Sequence, residues 1–100
     1  MEYFVEMTTN VPDGTPEETV DAVRSREAER ARELAAEGHL LRLWRPPLAP
    51  GEWRTLGLWS ARDDAELMAT LKSLPLHPWM TVEVTPLSAH PNDPANAVTA

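Results

Sequence analysis

The segment VDAVRSREAERARELAAEG, residues 20–38, holds the first chemical clue. Turned at about 100° per residue, Val23, Ala31 and Leu34 fall within about 60° of Val20 and form an apolar stripe. Glu27 lands in the middle of that stripe, while Glu29 and Glu33 fall on the far side. A carboxylate on an apolar face is costly to bury as an ion, so it must be paired, partly solvated in a pocket, or protonated with a raised pKa. A raised pKa suits a general base that moves a proton near neutral pH. The structural alternative is a salt bridge to Arg24 at i−3, to Arg30 at i+3, or to a strand arginine. The pattern by itself leaves both open.

A second constellation is the pair Arg42 and Arg45. They lie on opposite faces of an extended segment, and Arg42 shares its parity with Trp44. An arginine beside a tryptophan in an acidic chain can clamp a small carboxylate by a charge-assisted bidentate contact. It can equally pair with Glu6 or Glu83 across a sheet. Other chemistries lack their signatures. His39, His77 and His90 are far apart with no local ligand spacing, so no metal is expected. The four glycines form no phosphate loop, no serine sits in a nucleophile elbow, and there is no cysteine.

The elements that must position these groups read as β-α-β-β-α-β. Residues 2–9 (EYFVEMTT) alternate as a half-buried strand. Thr15, Pro16 and Glu18 predict a capped helix start, and Gly38 its end. HLLRLWR and WRTLGLWS are the next two strands, separated by the proline loop PPLAPGE. Ser60 is expected to cap a second helix whose apolar stripe is Leu67, Met68, Leu71 and Leu74, stopped by LPLHP. MTVEVTPL is the last strand. This order predicts an α+β, ferredoxin-like βαββαβ domain over residues 1–88, an antiparallel sheet with both helices on one face, and a tail over residues 89–100. Regular alternation aims Tyr3, Val5, Met7, Leu41, Leu43, Leu56, Leu58, Val82 and Val84 at the helices. It leaves Phe4, Glu6, Arg42, Trp44, Trp53, Trp59, Thr81 and Glu83 on the other face. So apolar an open face predicts a homodimer in which two sheets face each other as a dimeric α/β barrel around a lined cavity, or cover from the loop or tail.

Composition bounds the class. One hundred residues with 42 % apolar content suit one modest core. A formal charge of −7 opposes nucleic acid and anionic membranes. No apolar run approaches the roughly 20 residues that span a bilayer. MEYFVEM lacks the features of a signal peptide, so a cytoplasmic location is expected.

Three blocks then show a family likeness. LPLHPWMTVEV followed by His90-Pro91 resembles the LPLxPxMxxEV…HP of muconolactone δ-isomerases. EGHLLRLWR resembles their EGxxxxLWR, and FVEMT with Pro12 resembles their xVxMT and following proline. The resemblance covers most of the chain in order. It implies a ferredoxin-like fold, paired subunits in a larger ring, and no metal or organic cofactor. The implied reaction shifts a double bond in an anionic, unsaturated five-membered lactone by proton transfer, converting muconolactone to the 3-oxoadipate enol-lactone. Glu27 stands where the family carries a glutamate and is the expected base. Arg45, in the shared LWR, is the expected carboxylate binder beside Trp44, with Arg42 a further cation. His90 is expected to reach a neighbouring subunit's pocket or to order the tail. The chain departs from the family at Phe4 and Arg42, where relatives carry histidine, at Glu6, where they carry lysine, and in a longer PPLAPGE loop. These departures leave room for a related dimeric-barrel enzyme (dehalogenase or cyclase) on another small cyclic compound, or for a non-catalytic binding domain.

Overall fold

The computed structural model describes the backbone of residues 1–99 and the side chains of residues 1–96, so the tail's last residue lies outside the described part. The elements are β1 (Glu2–Thr9), α1 (Glu17–Ala36), β2 (Leu40–Trp44), β3 (Arg54–Ser60), α2 (Asp64–Lys72) and β4 (Met80–Leu87), with short 3₁₀ turns at His77–Trp79 and Pro94–Thr99. The four strands form one antiparallel sheet in the order β2-β3-β1-β4. Leu34 from α1 and Leu67, Leu71 and Leu74 from the α2 region pack with Tyr3, Val5, Met7 and Trp59. Both helices therefore cover the same sheet face, and the expected ferredoxin-like layering is what the chain adopts.

The helix ends show which local signals operate. Thr15 does not cap α1: its hydroxyl donates to the Pro12 carbonyl at 2.6 Å, inside the preceding turn, and Pro16 occupies the cap position. The helix starts one residue later than the sequence suggests, with Glu17 and Glu18 in the first turn, where the helix dipole favours them. Its C-terminus follows expectation. Gly38 takes φ +85°, its N–H donates to Ala35, and the His39 N–H donates to Leu34. That bond pair closes the helix and asks for a residue free to be left-handed. At α2 the cap is Asp63, not Ser60, which is the last residue of β3. The Asp63 carboxylate accepts from the Glu66 N–H at 2.8 Å, while Glu66 accepts from the Arg62 N–H at 2.8 Å. Met68 leaves the expected stripe and stands exposed, while Thr70 is buried beside Leu67, Leu71 and Leu74.

The sheet register corrects the predicted faces. Residues directly opposite each other share a face, and Tyr3 pairs with Trp59, Val5 with Gly57 and Met7 with Thr55. Trp59 is thus turned toward the helices and only 1 % exposed, while Leu56 and Leu58 join Phe4 and Glu6 on the open face. The cause lies at Gly57. A Cβ there would stand 2.5 Å from the Trp59 indole nitrogen, so the indole lies across a residue that must have no side chain. An inward Trp59 with a glycine beside it fills the layer that two leucines would have filled. In β2 the pairing runs Leu40 to Trp59, then Arg42 to Leu58, which inserts Leu41 as a bulge. Leu40, not Leu41, therefore enters the core. Arg42 and Trp44 remain on the open face as expected.

Tyr3 ties the sheet to α2. It is fully buried, and its hydroxyl donates to Asp64 Oδ1 at 2.8 Å. Burial first, and then the neighbouring Asp64 carboxylate, push the phenol pKa up to about 12.

Candidate active site

Between α1 and the helix-facing side of the sheet lies a cavity of about 230 Å³. Its walls are mostly apolar: Met7, Leu40 and Leu43 from the strands, Leu74 and Leu76 from the segment after α2, and the rings of Trp53 and Trp59. Glu27 is the only carboxylate among the described lining residues, and Arg24 is the only cation.

Glu27 points inward for the reason its helical position predicts, since the flanking stripe residues Val23 and Leu34 are buried. What holds it is a backbone group from across the fold. The Leu76 N–H donates to Glu27 Oε1 at 2.9 Å, a contact between positions 49 residues apart. Leu76 sits in the LPLHP turn, where Pro75 has no N–H and the His77 and Trp79 amides are already bonded to Leu74 and Leu76 carbonyls. The Leu76 amide is therefore available to fix a carboxylate. Burial pushes the Glu27 carboxyl above its usual pKa, and the Leu76 hydrogen bond pulls part of the way back. A carboxylate held by one backbone donor in an apolar pocket can accept a proton and release it again.

The alternative of an ion pair does not occur. Arg30, the i+3 residue, donates to Ser73 Oγ at 3.0 and 3.1 Å and to Glu33 Oε1 at 3.1 Å, joining α1 to the end of α2. Arg24, the i−3 residue, lays its guanidinium 5.3 Å from the Trp53 ring centroid. No described arginine or lysine reaches Glu27 within 4.0 Å.

One buried donor beside the cavity is unpartnered and lies over Gly57, closed off from the cavity itself. The Trp59 indole N–H is buried and hydrogen-bonded to nothing among the described residues. A buried donor left unpaired costs about 1–3 kcal/mol, a cost the inward packing of the Trp59 ring carries.

The other predicted site residues stand elsewhere. Arg42 stacks on Trp44, 5.1 Å from the ring centroid, on the open face. Trp44 and Arg45 border a separate, shallow surface pocket that shares only Leu43 and Thr55 with the Glu27 cavity. His90 lies in the exposed tail, where its Nδ1 accepts from the Asn92 N–H at 2.9 Å. Within one chain none of the four lines the cavity. Sequence reading missed Trp53 and Arg24 as cavity residues. Alternation anchored on Leu56 and Leu58 as core puts Trp53 on the open face, whereas with Trp59 turned inward the same parity carries Trp53 to the helix side. The helical spacing of Arg24 reads first as an ion-pair partner for Glu27. Phe4, Glu6 and Arg42 also lie outside the cavity. Among the described residues there is no cluster of three metal-ligating side chains, and no helix is long and apolar enough to cross a membrane.

Fold and site together define a ferredoxin-like α+β domain with an apolar cavity between its helices and its sheet, lined by one carboxylate among the described residues. The chain belongs to the muconolactone delta-isomerase family, whose model matches residues 1–93. It is 35 % identical over 92 residues to muconolactone delta-isomerase 1 of Acinetobacter lwoffii, covering 92 % of this chain and 93 % of that protein. The muconolactone delta-isomerase of Cupriavidus pinatubonensis is also 35 % identical over 92 residues, which are 92 % of this chain and 97 % of the relative. A crystal structure of muconolactone isomerase superposes with a TM-score of 0.83 at 30 % identity, covering 94 % and 95 % of the two chains.

Proposed function

We propose that this protein is a cofactor-independent isomerase that shifts a carbon–carbon double bond in a small unsaturated lactone, with muconolactone as the substrate. The single observation that carries this reading is Glu27: an inward carboxylate with a raised pKa, one fixed backbone donor and no cationic partner, lining an apolar cavity. In the proposed reaction the Glu27 carboxylate takes the proton from the ring carbon that bears the carboxymethyl arm. The electron pair spreads over the double bond and the lactone carbonyl as a dienolate. The Glu27 carboxyl then returns the same proton to the carbon beside the carbonyl, so no atom or electron is gained or lost. The Leu76 N–H keeps the carboxylate aimed during both transfers.

The assembly reading is a homodimer through the open sheet face. Phe4, Leu56, Leu58 and Trp44 give that face an apolar centre. Glu6 and Glu83 stand directly opposite each other on one side of it, with Arg42 on the other. Two copies packed face to face can set each copy's Arg42 against the other's paired carboxylates, which relieves a like-charge cross-strand pair. The tail supports a larger assembly. The described chain has a radius of gyration of 15.6 Å and a long axis of 57 Å, against about 13 Å of radius for a compact 100-residue domain. The exposed tail with His90 is read as reaching a neighbouring subunit, and Arg45 and Trp44 as lying at the mouth such a neighbour completes. We place the enzyme in the cytoplasm.

Purified protein mixed with muconolactone in D₂O and followed by proton NMR tests the substrate. The reading predicts appearance of the enol-lactone. A mixture unchanged beyond the no-enzyme control rejects muconolactone.

A further inference from the structure

We infer that Arg24, stacked on Trp53 at the cavity wall, is the residue that binds the substrate's carboxylate arm and so sets the preference for anionic lactones. This rests on the isomerase reading and extends it to a group that neither the LWR block nor the open-face arginine supplies.

Four observations converge on Arg24. It is the only cation among the described residues lining the cavity that holds Glu27. It makes no ion pair with any described carboxylate, although the chain carries sixteen acidic residues against nine basic ones. Its guanidinium lies over the Trp53 ring with Cζ 5.3 Å from the centroid. Finally, the Trp53 backbone is pinned to the end of β1, where its carbonyl accepts from the Thr9 N–H at 2.8 Å. Stacking on an aromatic face fixes the plane of a guanidinium and leaves its N–H edge free, the geometry that receives a carboxylate through two parallel hydrogen bonds.

The spacing along α1 fits the chemistry. Arg24 and Glu27 are three residues apart on one face, an axial offset of about 4.5 Å. The carboxymethyl arm hangs from the same ring carbon whose proton Glu27 is proposed to lift. Holding the arm one helical turn from the base therefore orients that C–H bond toward Glu27 Oε atoms. Arg42 and Arg45 lack this relation, because neither lines the cavity.

Steady-state kinetics of wild type, Arg24→Lys and Arg24→Gln on muconolactone and on its methyl ester test the assignment. Loss of one charge-assisted contact predicts that Arg24→Gln raises KM for the free acid by about ten- to a hundredfold, with a smaller fall in kcat. Its KM for the ester stays within a few-fold of wild type, and Arg24→Lys recovers part of the loss on the acid. Arg24 is exposed, so the variants are expected to fold, and matching melting curves confirm that the comparison is between folded enzymes. An Arg24→Gln enzyme with unchanged KM for the acid, or with equal losses on acid and ester, overturns the assignment while the isomerase reading stands. Turnover of neither compound by wild type overturns the isomerase reading and the assignment together.

Discussion

The two faces of the sheet are both apolar, yet they are solved differently. On the helix side, one chain completes the packing: Tyr3, Val5, Met7 and Trp59 meet leucines from α1 and α2, and the space left over is a cavity with one carboxylate. On the open side, Phe4, Leu56, Leu58 and Trp44 have no helix packed over them, Arg42 lies on Trp44, and Glu6 faces Glu83. On the first face the one carboxylate among the described cavity-lining residues, Glu27, is half-buried and held by a backbone amide, and the proposed proton transfer draws on it. On the second face several charges share solvent, and their arrangement fits assembly better than catalysis. Phe4, Glu6 and Arg42 all belong to this second face, through which the homodimer is proposed to form.

The sharpest way to break the helix-side packing is Gly57→Ala. The added Cβ falls 2.5 Å from the Trp59 indole nitrogen and has no room. Overpacking of this kind costs about 1–3 kcal/mol, which lowers Tm by roughly 4–24 °C in a domain of this size. An unchanged melting curve contradicts the packing described. On the open face, Leu58→Glu adds a third carboxylate to the centre of the proposed contact and is expected to convert a dimer or larger oligomer to monomers in light scattering. A wild type that is already monomeric removes the interface proposal. Asp63→Ala removes the α2 cap and should cost about 1 kcal/mol with no change in turnover, because the cap is not part of the cavity lining.

The smallest expected effect concerns Glu27 and stability. Burial raises its folded-state pKa above the unfolded value, so the folded protein binds the proton more tightly. Its contribution to stability is then fullest below the unfolded pKa and is lost as pH rises through the folded pKa. Glu27→Gln, which keeps an acceptor for the Leu76 N–H without the charge, should raise Tm slightly at neutral pH. The gain should close as the pH falls into the ordinary carboxylate range. A gain that persists at low pH points to packing and not to ionisation.

Much of this was legible in the sequence. The 3.6-residue stripe placed Glu27 inward, and Gly38 marked the helix end. The order of periods gave βαββαβ. The inversion of β3 was not read, because WRTLGLWS is apolar on both parities and leucines were favoured over Trp59 as core. The signal was Gly57, two residues before a tryptophan on the same face, where only an empty position lets an indole lie flat. The bulge at Leu41 shifted β2 in the same way, since strict alternation has no means of announcing an extra residue. The Leu76 amide left only an indirect trace, two prolines in LPLHP that mark a turn with an unused donor. Arg24 escaped notice because helical spacing pairs it with Glu27 as readily as with a ligand, and only Trp53, brought over from the far end of β3, decides where it points.

The central claim is that Glu27 moves the proton. The direct measurement is kcat and KM of Glu27→Gln beside wild type on muconolactone. The account predicts a fall in kcat of about 10²–10⁴-fold with KM changed only a few-fold, because the glutamine still occupies the cavity and accepts from Leu76 but cannot take up a proton. A Glu27→Gln enzyme turning over at the wild-type rate contradicts it.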